Sequence, residues 1–466
     1  MTDAILGVDV GTSSLKAGLF SLAGEQLGFA MVPYGLSSPE PDAMEQDPDD
    51  WWRAFVDASR QLTLQRSDAT VGVVCIGGQA PTLCAVDVEL RPTHPAIIWL
   101  DHRPALEAER MYAQLGRPVP VWGSWPAQAA WLAHQRPTAL RRTRWFMGCP
   151  DYLSAKLTGR ATSYLIWPPD EIEAAEIDPR LLPPPVAPGS VVGPICESAA
   201  EAARLLPGTP VVAGYVDGIM GVLGSGVSRP GDACLNGGTS GTFSIVSDTG
   251  AGYPVMGMGI VGAATNTSGK ALDWYVQHVA PAGSSYAELI ADAAEISAGS
   301  GGLLFLPHLA GERAPIRDPR SRGAWVGLTI AHDRRHLLRS ILEGVAFSFR
   351  AVHELLAAEG TPARRVHLVG GQARSALWNQ IKADVLGLPV VVPEVIEGPV
   401  VGAAVLGAIG LGAYRSREEA VSAMVRIVRS FEPDPQAATM YDELFVSYQQ
   451  LYPALREVNW RVHGYR

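Results

Sequence analysis

"ILGVDVGTSSLKAGLF", Ile5–Phe20, sets an aspartate, glycine and the hydroxyl residues Thr12, Ser13 and Ser14 around the turn between two apolar segments. Alternation across Ile5–Val10 and Leu15–Phe20 predicts two half-buried strands, with Gly11–Ser14 as the tight turn between them. One reading is an N-terminal hairpin whose polar turn faces water. The other starts from Asp9, a charge near the end of an apolar strand. With Gly11 allowing close backbone approach and Thr12 and Ser13 offering hydroxyls, such a turn can hold phosphate oxygens and a cation. The rest of the chain has to separate the two.

At 466 residues the chain is too long for one core, so two domains of about 200 residues each are expected. With 47% hydrophobic and 18% charged residues, the composition is that of a folded soluble protein. A formal charge of −10 argues against a nucleic-acid partner, because neutralising phosphates needs clustered Lys and Arg. The local group Arg141, Arg142 and Arg144 reads as a solvated face. Met1–Leu6 lacks the basic start and long apolar stretch of a signal peptide. Val400–Ala413, the most apolar segment, is Gly-rich and shorter than the roughly 18 residues a membrane span needs. A small-residue helix packed closely inside a domain is expected there, and no membrane partner. Cys75, Cys84, Cys149, Cys196 and Cys234 are scattered and form no CxxC pair, which fits buried free thiols in a reducing cytoplasm. In that compartment the Asn266-Thr267-Ser268 sequon has no meaning as a glycan site.

Along the chain two halves can be seen. In the first, a third strand is expected near Gln26–Val32 and a helix over Asp49–Gln65, with Pro48 and Asp49 as start signals. "VGVVCIGGQAPTLCAVD" (Val71–Asp87) reads as strand, glycine turn and strand, and "PAIIWLDHR" (Pro95–Arg103) as another apolar strand ending in charge. Helical pieces are expected at Ala127–His134 and Asp151–Lys156, and an irregular connector at Pro183–Pro188. "TPVVAGYVDGIMGVLGSG" (Thr209–Gly226) gives a strand, Asp217 at its end, and a Gly-rich helix.

The second half opens with "GDACLNGGTSGTFSIVS" (Gly231–Ser247), again strand, Gly-Thr-Ser turn, strand. Two phosphate-type hairpins therefore lie one per half. A long helix is expected over Asp333–Ala358, with Leu337, Leu338, Ile341, Leu342, Val345, Phe349, Val352 and Leu356 on one face and Gly360 beyond its end. "RVHLVGGQARSALWNQIKADVLGLPVVVPE" (Arg365–Glu394) reads as strand, Gly-Gly turn, Ser375 as N-cap, helix and strand, a unit that aims backbone N–H groups at a ligand.

Three motif matches carry less. "GMGIVG" (Gly257–Gly262) fits GxGxxG, but no capped helix opens behind it and no acidic residue follows at the expected distance. His332 and His336 have metal-ligand spacing, yet Asp333 stands where a zincin needs Glu. Around Lys270 the stretch is similar to a P-loop, but Ala264 and Ala271 occupy the first Gly and the Ser/Thr positions.

Taken in order over almost the whole chain, the quoted stretches resemble the FGGY carbohydrate kinases, closest to the xylulokinases among them. "GVDVGTSSLKAGLF" resembles the family's first phosphate loop, "EQDPDDWW" its approach to the first helix, and "AIIWLDHR", "DYLSAKLTG" and "VVAGYVDG" successive motifs of its first domain. "NGGTSGTF" resembles the second phosphate loop. "FLPHLAGERAPIRDPRSRGAWVGLT" and "VHLVGGQARSALWNQIKADVLGLPV" resemble the most recognisable stretches of the second domain.

The resemblance implies an α/β protein of two ribonuclease-H-like domains on the actin-like ATPase fold, with a cleft between them. Residues 1–225 would form the sugar side and 226–466 the nucleotide side. It further implies ATP-dependent transfer of a phosphoryl group to a sugar hydroxyl, chemistry that depends mainly on positioning and charge stabilisation with water excluded. Asp217 would be the general base and a substrate contact, and Asp9 would organise Mg²⁺ through water. Thr12 and Ser13 would face the transferring phosphate, and Gly238, Thr239 and Ser240 would hold the nucleotide's phosphates. Gly370, Gly371 and Gln372 would lie by the adenosine, with Gly269 and Asp273 carried over beside them. Gln79, Ala80 and Asp101 would line the sugar site, Asp101 against the alternative of a salt bridge to Arg103.

The departures are in the sugar site. Where xylulokinases read "GQMHG" this chain reads "GQAPT", so Ala80 and Pro81 replace a Met and a hydrogen-bonding His. Gly218 follows the implied base where an amide is usual, Gln128 stands for a Lys, and Ala161–Pro194 is shorter than usual. The acceptor expected first is a ketopentose of the xylulose type, with another ketose or a polyol such as ribulose, glycerol or erythritol as the alternative. An actin- or Hsp70-like ATPase and a non-catalytic ATP-binding regulator are the other classes, the first of which would need no base at Asp217. ATP, Mg²⁺ and a small sugar or polyol are the implied partners, and a homodimer is left open.

Overall fold

A computed structural model of the chain describes residues 2–120, 123–165 and 167–463. The chain divides into two compact units, Met1–Gly224 with Pro399–Val425 and Ser225–Gly398 with Arg426–Arg466.

Among the described residues the first unit is built on strands β1 (Thr2–Val10), β2 (Ser14–Ser21), β3 (Gln26–Pro33), β4 (Ala69–Gly78), β5 (Val191–Pro194) and β6 (Pro210–Val216), in the order β3-β2-β1-β4-β6-β5. β1, β2 and β3 form an antiparallel meander, while β4 and β6 run parallel to β1. The hairpin of the opening stretch is present, but β1 is not half-buried as its alternation suggests. Ala4–Val10 is buried at every position. A strand paired antiparallel on one side and parallel on the other, with both faces covered, has no solvent face to alternate toward.

One cover is the helix Pro48–Gln65, whose Trp51, Phe55, Ala58 and Leu62 pack into the core with Leu15, Ala17 and Leu19. Asp47 caps its first turn by accepting from the Asp49 N–H. The other is the small-residue helix Gly398–Gly410, which packs within this first unit although it lies far along the chain. The second half is therefore not the unbroken segment expected from residue 226 onward. Close approach explains why this helix is so poor in large side chains. A Cβ on Gly402 would fall 2.0 Å from the Met220 carbonyl oxygen.

The second unit repeats the plan. Strands β7 (Asp232–Gly237), β8 (Gly241–Ser247), β9 (Tyr253–Val255), β10 (Met258–Thr265), β11 (Arg365–Val369), β12 (Val390–Pro393) and β13 (Ile427–Phe431) are ordered β9-β10-β8-β7-β11-β12-β13. β10, β8 and β7 form the meander, and β11 and β12 continue parallel to β7. Helix Arg334–Ala358 supplies the core with Leu338, Ile341, Leu342, Val345, Phe349, Val352 and Leu356, capped by Asp333, which accepts from the N–H groups of Arg335 and His336. Its buried face is fixed by a charged cluster. Glu343 accepts from Arg339, Tyr441 and the Gly299 N–H with one oxygen and from Ser300 with the other.

Two further expectations change. "PAIIWLDHR" contributes only the two-residue strand Ala96–Ile97, paired antiparallel with Glu45–Gln46, and the chain then turns. Of the cysteines, Cys75, Cys84, Cys149 and Cys234 are buried free thiols, but Cys196 is partly exposed at the start of a helix. Among the described residues no helix is long and apolar enough to cross a membrane.

Candidate active site

In the first unit the register of three neighbouring parallel strands brings the implied residues together. Asp9 lies opposite Gly77 of β4, Val10 opposite Gly78, and Val216 of β6 also opposite Gly78. Asp9, Gln79 and Asp217 thus stand at the carboxyl ends of β1, β4 and β6, the edge at which α/β sheets bind ligands. Asp217 begins the helix Asp217–Gly224 and accepts from the Gly218 N–H at 2.6 Å. Burial pushes its carboxyl up to about 6, against the lowering effect of that hydrogen bond. The Cys149 thiol, buried beneath, is driven well above its ordinary range by desolvation and then by the charges of Asp217, Asp9 and Asp151. One thiol feeling all three places the two proposed working carboxylates in a common neighbourhood. Asp151 itself is internal. Desolvation raises it to about 7 while it accepts from Ser163 and from the N–H groups of Gly148 and Tyr164.

The turn after β1 is held from behind. Thr12 Oγ1 donates to Gln79 Oε1 at 3.1 Å and accepts from Trp99 Nε1 at 3.0 Å. Gln46 Nε2 donates to the Thr12 carbonyl at 2.6 Å, while Gln46 Oε1 accepts from Gln79 Nε2 at 2.6 Å and from Trp51 Nε1 at 3.2 Å. The Tyr34 hydroxyl donates to the Gly11 carbonyl. Ser13 lies exposed on the same turn. Gln46, Trp99 and Tyr34 received no role from the sequence. Two of them sit in the quoted stretches "EQDPDDWW" and "AIIWLDHR", and the short pairing of Glu45–Gln46 with Ala96–Ile97 is what carries them to the turn.

Asp101 does not join this group as a hydroxyl partner. Its carboxylate accepts from the Arg103 backbone and guanidinium and from the Met44 N–H, and its side chain is 0% exposed. The salt-bridge alternative is the one present, with Arg103 also bonded to Glu40 and Glu45 and stacked over Trp131. Beside it, Ala80 is partly exposed and Pro81 buried, and Gln128 turns its amide to the carbonyls of Pro81 and Ile98 at 3.4 Å.

In the second unit three segments are strapped together. The Gly238 carbonyl accepts from the N–H of Gly269 at 2.9 Å and from Gln372 Nε2 at 3.3 Å. The Thr239 carbonyl accepts from the N–H groups of Ser268 and Lys270, both at 3.1 Å. Gln372 Nε2 also donates to Ser268 Oγ at 2.6 Å. Gly370 is held at a φ of 85°, and a Cβ there would meet Asn236 Oδ1 and the Gly237 carbonyl oxygen at 2.8 Å, so glycine is required. Thr239 is exposed and Ser240 partly so. Asp273, one turn into the helix Gly269–His278, accepts from the Tyr286 hydroxyl at 2.6 Å on the helix's outer side.

A divalent cation is implied with these residues. Among the described residues no three His, Cys, Asp or Glu side chains gather into a metal cage. A strand-end carboxylate with hydroxyls nearby is a hard-oxygen set. It fits Mg²⁺, which is commonly held by one or two carboxylates, waters and substrate phosphates.

Residues 4–224 match the family model described as the N-terminal domain of the FGGY family of carbohydrate kinases, and residues 233–411 match its C-terminal domain. The xylulose kinase of Bacillus subtilis is 28% identical over 99% of this chain and 99% of its own length. The gluconokinase of the same species is 27% identical over 100% of this chain and 99% of its own. The crystal structure of xylulose kinase from Rhodospirillum rubrum superposes with a TM-score of 0.84 at 30% identity, covering 98% of this chain and 99% of that one.

Proposed function

The chain belongs to the FGGY family of carbohydrate kinases and is a sugar kinase, and on that premise we propose ATP as its donor and Asp217 as the base that takes the proton of the attacking hydroxyl. The observation that supports this most is the placing of Asp9 and Asp217 at the carboxyl ends of β1 and β6, the two parallel strands that flank β4, with Asp217 raised by burial toward neutrality. A carboxylate with a pKa near the working pH accepts a proton well and remains largely ionised at pH 7. Asp9 would hold Mg²⁺, which when bound neutralises charge on the transferring phosphate. The first unit would form the acceptor side, with Gln79 fixing the Thr12 turn and Ser13 directed outward. The second would contribute Gly238, Thr239, Ser240, Gly269 and Gln372 to the nucleotide, with Asp273 at most peripheral.

For the acceptor we propose a ketose or polyol recognised more by shape than by many polar contacts. Ala80, Pro81 and Gly218 supply no side-chain donors, and Asp101 is consumed by Arg103. A pocket lacking such groups discriminates by only about 1–3 kcal/mol per methylene-sized difference. The test is acceptor-stimulated ADP release over a panel of ketopentoses, polyols and sugar acids. D-xylulose should be accepted poorly or moderately. A clear preference for it over the panel, with a KM below about 1 mM, would overturn the acceptor reading.

A further inference from the structure

The stretch "HLAGERAP" (His308–Pro315) belongs to the most recognisable part of the second unit, yet nothing above gives it work. It is tied to the segment that supports the Gly238–Ser240 turn. Glu312 Oε1 accepts from the Asn266 N–H at 2.7 Å and from the Arg313 N–H at 2.8 Å, and Asn266 Nδ2 donates to the Ala310 carbonyl at 3.1 Å. Arg313 Nη2 donates to the Thr265 carbonyl at 3.2 Å. Thr265 in turn is the register partner of Gly241, the first residue after the turn.

Around this junction buried polar atoms are left over. Arg313 Nε, the hydroxyls of Thr265 and Thr267, and Gln372 Oε1 have no hydrogen-bond partner among the described residues. Thr265 and Thr267 are 1% and 0% exposed. Unmade hydrogen bonds on buried groups are costly, so a cluster of them calls for a partner. The charge balance says which kind. Glu312, the acid next to Arg313, spends one oxygen on backbone N–H groups and holds the other 3.7 Å from His308 Nε2. Burial raises Glu312 to about 7, so it neutralises the guanidinium only in part. An arginine keeps its charge, and a partly buried one with open donors needs an anion.

We propose that Arg313 contacts the phosphate oxygens of the nucleotide held at the Gly238–Ser240 turn. Its planar fork matches a phosphate bidentately, and Glu312 acts as a positioning residue by fixing the backbone on both sides. This rests on the reading of the second unit as the nucleotide side.

The test is calorimetric titration of the full chain with ADP and with adenosine. Arg313→Gln should weaken ADP binding about 10- to 100-fold, the usual cost of a lost charged hydrogen bond, and leave adenosine affinity unchanged. Arg313→Lys, which keeps the charge without the fork, should fall between. The unchanged adenosine affinity also reports that the variants are folded. Equal losses for ADP and adenosine would make Arg313 merely structural, and no loss for either would remove it from the site. Both results overturn the proposal while the nucleotide reading stands. A wild-type chain that binds ADP no better than adenosine would overturn that reading, and the proposal with it.

Discussion

Asp217→Asn should abolish most of the turnover and at the same time make the protein harder to unfold. Burial raises this carboxyl from an ordinary 3.8 to about 6. A shift of about 2 pH units at about 1.4 kcal/mol each is about 3 kcal/mol. The sign follows from the direction of the shift. The folded state holds the proton more tightly than the unfolded chain, so the neutral acid is favoured by folding. Stability from this group is complete below about 3.8 and is lost as pH rises through about 6. Above that, the ionised side chain costs the first unit about 3 kcal/mol relative to a neutral one of the same shape. Asparagine is that side chain, and its carbonyl oxygen can still accept from the Gly218 N–H. It also removes one of the charges that bear on Cys149. Urea unfolding of the wild type and the variant at pH 4, 6 and 8 should therefore give a gain of up to about 3 kcal/mol at pH 8 that shrinks toward zero at pH 4. ADP release with saturating acceptor should fall about 10²–10⁴-fold, and the wild-type rate should show an acid limb near pH 6. A variant that turns over at nearly the wild-type rate, or unfolds more easily than the wild type at pH 8, would refute the reasoning.

Gly371→Val should raise the nucleotide KM and leave the acceptor KM alone, since a Cβ there meets nothing within 4 Å and the fold can accept it. Movement of the acceptor KM instead would put the nucleotide elsewhere. Gln46→Ala strips the buried Gln79 Nε2 and Trp51 Nε1 of their acceptor and should lower stability by about 2–4 kcal/mol in urea unfolding. An unchanged midpoint would mean that the network behind the first turn re-forms without it. Asp101→Asn weakens the grip on the buried Arg103 and should lower the melting temperature with the acceptor KM unmoved. The reverse pattern would return Asp101 to the substrate site.

Much of the architecture was legible because each hairpin and each capped helix is written locally. The spacing of Leu338, Ile341, Leu342, Val345, Phe349, Val352 and Leu356 marks a helix wherever it packs, and Asp333 marks where it begins. What packs on what is not local. Val400–Ala413 announces close packing through its glycines and alanines, but nothing in its composition says that it returns to the first unit. β1 shows the same limit in miniature. Its residues alternate weakly, and only the helices Pro48–Gln65 and Gly398–Gly410 on its two faces, with β2 and β4 along its edges, make it buried throughout. "PAIIWLDHR" failed for a further reason. An apolar run fits a strand or a buried turn alike, and here Asp101 and Arg103 close the turn on each other.

The same distinction bears on the question raised by the turn at Gly11–Ser14. Its residues alone suit a wet hairpin as well as a phosphate loop, because glycine and hydroxyls serve both. What differs is the wall behind it. A hairpin tip facing water needs no partners, whereas this one is fixed by Gln46, Gln79, Trp99 and Tyr34, side chains drawn from separate strands and loops. Thr12, consumed by Gln79 and Trp99, is then better understood as the residue that sets the turn's shape. Ser13, exposed beside it, would on the proposed reading be the hydroxyl left to meet a phosphate. Rigid presentation of a few polar groups beside a raised carboxylate is what phosphoryl transfer asks of a protein, since the catalysis lies in positioning and charge. A turn of the same sequence without that wall would bind phosphate only after paying to order itself.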